Sequence, residues 1–363
     1  PPVVPELKSI TIGGALSGCG IDSSSFRYGL VHETIKEMEV LLSDGRVVTC
    51  NPNNDHKDLF FAFPNTFGTL GYALKIKVQL IPVKKYVKLS HIHFSDPKKY
   101  FEELNRLCQE NREGETIANI DGVIFNKDEM YITTGEYVDE APCTSQYRYK
   151  NIYYQSIKNL RKDFLSSLDY IWRWDTDWFW RSKVFFLQNP FIRLLFGKCM
   201  LNSTVYTKIM HFVNRHSLLR SFLNSIGGKK ESVIQDVVIP IQHAPYFLDF
   251  FTGEIGIKPI WICPIQPYSK NARFDFCPMD PDTLYIDFGF WDAVKTDKEE
   301  GYYNRKIEKM VTDLGGFKSL YSTSYYTEDE FWELYNRSQY LKLKKKYDPE
   351  GLFKGLYEKC STK

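Results

Sequence analysis

The segment Thr11-Ile-Gly-Gly-Ala-Leu-Ser-Gly-Cys-Gly-Ile-Asp-Ser-Ser-Ser-Phe-Arg-Tyr-Gly29 contains five glycines and three consecutive serines. Glycine tolerates left-handed backbone angles and lets a ligand approach the main chain, and the amides of such a loop bind anionic oxygens. Serine hydroxyls add short hydrogen-bond donors. The segment therefore predicts either a cradle for a cofactor phosphate or a purely structural glycine turn, and the residues alone leave both open.

Common catalytic and nucleotide-binding motifs do not explain this segment. The chain has no Gly-x₄-Gly-Lys-Ser/Thr loop and no His-Glu-x-x-His pair. A Gly-x-Ser-x-Gly elbow is also absent, because Gly18 and Gly20 stand too close together and the serines follow them. The spacing from Gly20 to the next glycine does not fit a dinucleotide-binding Rossmann fingerprint.

Composition narrows the class of protein. The 363 residues include 47 Lys and Arg against 45 Asp and Glu, and a net charge of +2 argues against nucleic-acid binding through bulk charge. No apolar run is as long as a membrane span. An aromatic content of 16% suits a large apolar pocket, a membrane-facing surface or an ordinary aromatic core.

The eight cysteines are scattered along the chain, with no Cys-x-x-Cys pair and no zinc-ligand spacing. A chain of this length does not need a disulfide framework to fold. We therefore expect reduced thiols in contact with the cytosol, and we expect no metal site. The cysteines are Cys19, Cys50, Cys108, Cys143, Cys199, Cys263, Cys277 and Cys360.

Alternating apolar residues predict most of the strands. Residues 34–42 and 47–50 flank an Asp-Gly pair and predict a β-hairpin. Residues 72–81 predict a half-buried strand whose Leu74, Ile76, Val78 and Leu80 face inward. Further strands are predicted at residues 117–125, 129–137, 235–240, 259–264 and 283–289.

Helical spacing predicts two amphipathic helices. One covers residues 97–112, and the other begins at the capping box Thr327-Glu-Asp-Glu330 and continues through Leu343. The lysines at 342 and 344–346 then predict either a solvated helix end or a weak site for anionic lipid or nucleotide phosphate. Residues 169–196 mix Trp, Phe and Arg, which is typical of a buried helix pair, an interfacial surface or the mouth of a lipid pocket.

Several short motifs occur together in an order that resembles the second half of the FAD-binding domain of flavoproteins of the PCMH or vanillyl-alcohol-oxidase type. They are Gly13-Gly14, Gly20, Ser24-Ser25, Tyr28-Gly29, Asp44-Gly45, Asp58-Leu-Phe60 and Gly68-Thr-Leu-Gly71. A closer resemblance is to the Δ24-sterol reductase family, the diminuto or seladin type. It is carried by Gly20-Ile-Asp-Ser-Ser-Ser25, Tyr28-Gly-Leu30, Ile81-Pro-Val-Lys-Lys-Tyr-Val-Lys-Leu89 and Leu284-Tyr-Ile-Asp287.

The resemblance implies an α+β fold with three parts. Residues 1–85 would form the C-terminal subdomain of the FAD-binding domain, and residues 86–326 a substrate (cap) domain with a mainly antiparallel sheet flanked by helices. Residues 327–363 would form a helical segment that returns to the FAD domain. In the family a membrane anchor and the first FAD subdomain precede the matching region. The resemblance therefore implies a fragment that begins after both, and we expect this fragment alone to bind FAD poorly.

The resemblance also implies a function. Members would reduce the C24–C25 double bond of a sterol side chain with electrons from NADPH through non-covalently bound FAD, at the endoplasmic reticulum membrane with the catalytic part facing the cytosol. The membrane contact would come from a segment absent from this chain, and nucleic acid is not an expected partner. The residues implied to bind FAD are Gly13, Gly14, Gly20, Ser23, Ser24, Ser25, Tyr28, Gly29, Gly68, Thr69 and Gly71.

Reduction of an isolated double bond needs a proton donor as well as a hydride. Tyr285 and Asp287 project from one face of a predicted strand, so they are candidates for the donor or for a residue that orients it. A Tyr/Asp pair that merely satisfies a polar strand face fits the same pattern. Two other functions also remain open: an FAD-linked oxidase of an alcohol or sugar that uses oxygen, and a non-catalytic relative that binds sterol or protein.

Overall fold

The computed structural model describes residues 1–114, 116–216 and 229–361. Near the start of the chain, β1 (Ile35–Leu41), β2 (Val47–Cys50) and β3 (Tyr72–Val78) form a small antiparallel sheet in the order β2-β1-β3. The predicted hairpin around Asp44-Gly45 is confirmed, with Leu41 opposite Val47.

The predicted inward face of β3 is partly wrong. The register between β1 and β3 shifts at two points, and at the second Glu39 pairs with Lys75, whereas Val40 pairs with Ala73. Leu74 is the extra residue of this bulge, and a bulged residue leaves the alternation of the strand. Leu74 is consequently exposed, and Leu80 is exposed beyond the end of the strand.

A second antiparallel sheet forms the centre of the molecule, in the order β11-β8-β10-β9-β5-β6-β4-β7. Its strands are β4 (Tyr86–Phe94), β5 (Asn119–Asn126), β6 (Glu129–Val138), β7 (Lys162–Ser166), β8 (Lys230–Pro240), β9 (Ile260–Ile265), β10 (Tyr285–Lys295) and β11 (Phe317–Lys318). The predicted strands at 117–125, 129–137, 235–240, 259–264 and 283–289 correspond to β5, β6, β8, β9 and β10.

The α-helices connect and cover these sheets. They are α1 (Ile12–Ser17), α2 (Ser25–Tyr28), α3 (Lys57–Ala62), α4 (Pro97–Asn111), α5 (Tyr153–Ser156), α6 (Ser167–Ile171), α7 (Pro190–Phe196), α8 (Ser203–Arg215), α9 (Ala244–Glu254), α10 (Tyr302–Asp313), α11 (Glu328–Leu334), α12 (Arg337–Tyr347) and α13 (Leu356–Cys360). Short 3₁₀ turns lie at Val31–Thr34, Arg181–Phe185, Lys198–Met200 and Ile241–His243. The α+β prediction is confirmed.

One face of the large sheet packs on helices. The helix predicted at 97–112 is confirmed as α4, and it buries Tyr100, Phe101 and Leu104 against this face. Helices α9 and α10 cover the same face, and from β10 the residues Ile286 and Phe288 join this core. Because side chains alternate along a strand, Tyr285 and Asp287 lie on the opposite face.

The predicted C-terminal helix is interrupted. The capping box at Thr327 and Glu330 is confirmed, but α11 ends before Asn336, which has a left-handed φ of 50°. Asparagine tolerates that angle better than most residues, and its side chain accepts a hydrogen bond from the backbone amide of Gln339 at the start of α12.

Helices α11, α12 and α13 pack on the small sheet. Tyr335, Leu343 and Leu356 share one apolar cluster with Met38 and Leu59.

Two lysines of the predicted cationic cluster are engaged there. Lys344 donates to the carbonyl oxygen of Thr69 at 3.0 Å, and Lys346 pairs with Asp58 at 2.6 Å. Both ammonium groups are therefore engaged by contacts within the protein.

The three-part division of the chain stays a prediction.

Residues 169–196 divide into a buried and an exposed part. Trp174 and Trp180 are fully buried in the core on the face of the large sheet opposite α4. Phe191 and Leu195 on α7 are 79% and 87% exposed. Among the described residues, no helix is both long and apolar enough to cross a membrane.

Candidate active site

A cavity of about 700 Å³ lies between the glycine-rich segment, the face of the large sheet opposite α4, and helix α8. This volume is within the usual range for sites that hold a cofactor or a drug-sized ligand. The glycine-rich side is formed by Pro5, Glu6, Leu7, Ser9, Ile10, Thr11, Gly14, Ala15, Gly18, Cys19, Gly20, Ile21 and Leu30. The sheet side includes Ile234, Asp236, Val238, Trp261, Ile265, Asp287, Trp291 and Phe317.

Two carboxyl groups lie on the sheet side of this cavity. Asp236 on β8 is opposite Gly289 on β10, and Asp287 is two residues before Gly289, so both aspartates share one face. Both oxygens of Asp287 and one oxygen of Asp236 are buried and have no hydrogen-bond partner among the described residues. Buried groups of this kind usually have a partner, so these oxygens are free to meet a ligand.

Because of burial and mutual repulsion, these two carboxyl groups stay protonated to a higher pH than a free aspartate does. Burial raises the pKa of Asp287, and the charge of the nearby Asp236 raises it further. Burial also raises the pKa of Asp236, while the Tyr321 hydroxyl acts in the opposite direction. Two like charges in one apolar site cannot both ionise at ordinary cost, so the pair retains a proton near neutral pH.

Tryptophan and tyrosine fix the surroundings of the carboxyl pair. The indole Nε1 of Trp291 donates to the Tyr321 hydroxyl at 2.8 Å, and Arg181 donates to the carbonyl oxygen of Trp291 at 3.2 Å. A Cβ at Gly289 would lie 2.6 Å from the Trp291 ring and 2.8 Å from Asp236. Only glycine at position 289 therefore leaves room for this arrangement.

A third carboxyl, Glu6, borders the cavity from the other side. It shares the buried Arg173 guanidinium with Asp121, and each carboxylate lies 2.7 Å from the same Nη2 atom. Burial raises the pKa of Glu6 to about 8, although Arg173 opposes the rise. Because one guanidinium can neutralise only one of the two carboxylates, Glu6 is a further group at the cavity that can retain a proton.

The glycines predicted to bind FAD have different surroundings. Gly14 and Gly20 line the cavity, whereas Gly13 does not. Among the described residues, a Cβ at Gly14 would meet the Thr11 hydroxyl alone within 4 Å, whereas a Cβ at Gly18 would lie 2.9 Å from the Gly14 carbonyl oxygen and 3.2 Å from the Phe67 ring. The main chain is therefore bare at Gly14, and Phe67 covers Gly18.

The predicted serines face the protein interior. Ser24 donates to Asp22 at 2.6 Å or to the carbonyl oxygen of Pro2 at 2.8 Å, and Ser25 accepts from the Asp22 amide. The Ser23 hydroxyl lies 2.8 Å from that of Tyr170. None of the three serines lines the cavity, and their role with FAD stays a prediction.

The remaining predicted cofactor residues lie outside the cavity lining. Gly68, Thr69 and Gly71 form a turn against β1, where a Cβ at Gly71 would lie 2.5 Å from Val40. Gly29 lies against the Glu33 carboxyl, and the ring of Tyr28 faces that of Tyr268 at 6.3 Å.

The two proton-donor candidates are separated by the structure. Asp287 lines the cavity, but the Tyr285 hydroxyl accepts a hydrogen bond from the Asp280 amide at 2.9 Å and is not part of the lining. Sequence reasoning missed Asp236, Tyr321 and Glu6. The adjacent polar pair Gln235-Asp236 inside a predicted core strand was the available signal, because core strands seldom carry a carboxylate.

Comparisons with known proteins show the family to which the chain belongs. A family model described as "FAD binding domain" matches residues 1–51. A Δ(24)-sterol reductase of Homo sapiens is 30% identical over 380 residues, which cover 99% of this chain and 69% of that protein. The chain belongs to the Δ24-sterol reductase family. A Δ(24)-sterol reductase of Pisum sativum is 26% identical over 396 residues, 99% of this chain and 68% of that protein.

A more distant relative of this Δ24-sterol reductase family member shares only part of the chain. Cytokinin dehydrogenase 4 of Oryza sativa subsp. japonica is 29% identical over 122 residues, 32% of this chain and 23% of that protein.

The residues of this family member fit an FAD-containing site. The region matched by the FAD-domain model supplies the whole glycine-rich side of the cavity, where Gly14 carries no side chain that would block a planar ring or a phosphate. Unpartnered buried carboxyl oxygens face the same space from the sheet. This is the arrangement of a bare main-chain surface opposite a side chain that can transfer a proton.

Proposed function

We propose that this protein reduces the Δ24 double bond of a sterol side chain, using NADPH as the electron source and FAD as the carrier. The observation that carries the proposal is Asp287, a buried carboxyl without a partner among the described residues, on the sheet side of a largely apolar cavity. The FAD-domain match on the opposite side and the family membership support the same reaction.

FAD, when bound, would supply the hydride that forms one of the two new carbon–hydrogen bonds. The main chain around Gly14 and Gly18–Ile21 would hold it, because these residues border the cavity within the matched region. The second new bond needs a proton, and the remaining steps belong to the side chains of the cavity.

Asp287 would give its proton to the second carbon of the double bond. Burial raises the pKa of Asp287, and Asp236 raises it further, so the acid form persists at the pH of a cell. After transfer, Asp287 carries a negative charge in a low-dielectric site next to Asp236, which favours rapid reprotonation. Asp236 thus acts as a positioning residue that keeps Asp287 protonated.

The other cavity walls suit an aliphatic chain. Ile234, Val238 and Trp261 lie on the sheet beside Asp287, and Phe179 and Met210 face them. An apolar wall gives an isolated double bond no polar group to compete with the acid, and it excludes water. A sugar would leave its hydroxyls unpaired against these side chains.

We also propose that the protein meets its sterol at a membrane surface, in keeping with the endoplasmic reticulum location, facing the cytosol, that the family resemblance implies. Residues 178–216 contain six Lys or Arg and no Asp or Glu. Within this region Phe186, Phe191, Leu194, Leu195 and Phe212 are more than half exposed. We call these five residues the apolar surface.

An anionic bilayer is the partner that fits this surface. Apolar side chains bordered by cations insert at the boundary between headgroups and acyl chains, and each nearby cation adds about 1 kcal/mol of attraction to an anionic leaflet. Helix α8 carries the exposed Phe212 and also the cavity-lining Thr207 and Met210. The same helix therefore connects the membrane contact with the sterol site.

Vesicle co-sedimentation tests the membrane contact. Leu195→Asp should weaken binding to vesicles of phosphatidylcholine with phosphatidylserine by about tenfold or more. Leu352→Asp is the matched control, because Leu352 is also an exposed leucine but lies outside the apolar surface. Equal binding by Leu195→Asp and Leu352→Asp would contradict the assignment.

Anaerobic stopped-flow measurements test the reaction. The FAD-loaded protein should be reduced by NADPH and then reoxidised by a Δ24-unsaturated sterol, with formation of the sterol saturated at C24–C25. Reduction by an alcohol or sugar, followed by reoxidation with oxygen and no change in the sterol, would establish an oxidase instead. Sterol binding without flavin turnover would establish a non-catalytic relative.

A further inference from the structure

Three side chains that are remote in sequence meet beside the glycine-rich wall of the cavity. One potential ligand atom from each of Cys19, His32 and Cys277 lies within 4.8 Å of the other two. The two sulfur atoms are 3.1 Å apart. Cys19 belongs to the loop after α1, His32 to the 3₁₀ turn at Val31–Thr34, and Cys277 to the connection between β9 and β10.

His32 is an unexplained buried group. Its side chain is 1% exposed, and neither ring nitrogen has a partner in hydrogen-bond geometry among the described residues, although the Cys277 thiol lies beside the ring. The imidazole packs edge-on against Phe274, with ring centroids 4.3 Å apart, which holds its plane but satisfies no nitrogen. A buried polar group without a partner destabilises the fold, so a bound group that takes a nitrogen ligand would remove this cost.

We propose that Cys19, His32 and Cys277 form a binding site for a zinc ion, with the fourth coordination position open to the cavity. Two thiolates and one imidazole are a preferred ligand set for zinc, and three protein ligands plus one open position are typical of accessible sites. Cys19 and Cys277 both line the cavity, so the open position faces it.

The geometry is close to what one ion requires. Zinc binds sulfur at about 2.3 Å and nitrogen at about 2.0–2.1 Å, so ligand atoms around a tetrahedral ion lie roughly 3.5–3.8 Å apart. The two sulfur atoms must separate by several tenths of an ångström from their present 3.1 Å. Each thiol loses one proton on binding. The two thiolates balance the charge of the ion, so the buried site carries no net charge.

A disulfide between Cys19 and Cys277 explains the observations less well. The bond would draw the sulfur atoms to about 2.05 Å and leave both nitrogens of His32 without a partner. A zinc ion instead uses all three side chains. It would also tie the glycine-rich loop to the segment after β9 at the edge of the cavity, so metal loss should loosen this wall.

Metal analysis of the purified chain tests the site without depending on the proposed reductase activity. After exposure to Zn²⁺ and dialysis, we expect about one zinc per chain, and Co²⁺ in its place should give the thiolate charge-transfer and visible bands of a tetrahedral complex. Cys19→Ser and His32→Gln should each lose the metal. Cys143→Ser is the matched control because Cys143 is exposed and distant in sequence from the three ligands, and it should keep one zinc.

A second variant protects the test against misfolding. Cys277→His replaces one zinc ligand with another and should retain zinc, with cobalt bands that indicate one thiolate fewer. Absence of stoichiometric zinc from the unmodified chain, or retention of one zinc by folded His32→Gln, would overturn the proposal. An intact-mass loss of two hydrogens with a Cys19–Cys277 crosslink would show that the pair forms a disulfide instead.

Discussion

Residues 11–21 and the strands β8 and β10 border the same cavity, yet they contribute different chemistry. The first region presents bare main chain at Gly14. The second presents the carboxyl groups of Asp236 and Asp287, held by close packing around Gly289. The difference separates two tasks: one wall accommodates a cofactor by lacking side chains, and the other supplies the proton by placing side chains where water does not reach.

Asp287→Asn should have the largest effect on catalysis at the sheet side of the cavity. The amide has the shape of the acid but cannot transfer a proton, so kcat for sterol reduction should fall by about 10²- to 10⁴-fold while sterol affinity changes little. Asp292→Asn, the same replacement near the end of the same strand, is the control and should stay within a few-fold of the unmodified protein. Steady-state formation of saturated sterol measures both.

Gly289→Ala should disturb the packing of the same wall. The new Cβ would lie 2.6–2.8 Å from Trp291 and Asp236, and overpacking of this kind typically costs about 1–3 kcal/mol. Thermal unfolding should show a lower Tm. Gly253→Ala, in helix α9 with nothing within 4 Å of its Cβ position, should leave the Tm equal or slightly higher. Equal melting temperatures for the two variants would refute the steric argument.

Ser24→Ala tests the hydrogen bonds that stabilise the glycine-rich segment. The Ser24 hydroxyl lies 2.6 Å from Asp22 and 2.8 Å from the Pro2 carbonyl oxygen, so its loss should lower the free energy of unfolding by about 1 kcal/mol. Denaturant unfolding measures this change. Because Ser24 does not line the cavity, FAD affinity should stay within about threefold, and a larger loss would support the sequence-based prediction that Ser24 binds the cofactor.

Asp236→Asn should produce the smallest but most specific change. The reaction requires protonated Asp287, so activity is present below the pKa of Asp287 and is lost as the pH rises above it. Burial raises that pKa and the charge of Asp236 raises it further, so removal of this charge should lower it. The alkaline limb of the kcat/KM profile should then move to lower pH. An unmoved limb would show that the two carboxyls do not interact in the working enzyme.

The sequence predicted the parts of the fold that depend on neighbouring residues. The hairpin at Asp44-Gly45 and the buried face of α4 follow from local turn chemistry and helical spacing. The bulge at Leu74 and the helix break at Asn336 depend on tertiary packing and could not be read from periodicity.

The candidate site was predictable only in part. Asp287 was found because its strand alternates clearly, but its partner Asp236 becomes visible only when the register of β8 and β10 is known. The trio Cys19, His32 and Cys277 has no sequence spacing to reveal it, which is why no metal site was expected. Sites assembled across such distances are set by topology rather than by motif.

A single-turnover reaction in D₂O tests the central claim most directly. The protein is reduced anaerobically with NADPH and mixed with a Δ24-unsaturated sterol, and the product is analysed by mass spectrometry. Because Asp287 exchanges its proton with solvent, the account predicts a saturated sterol with deuterium at least on the carbon that receives the proton, and much slower product formation in Asp287→Asn. Absence of a saturated product, or an unchanged rate in Asp287→Asn, would contradict it.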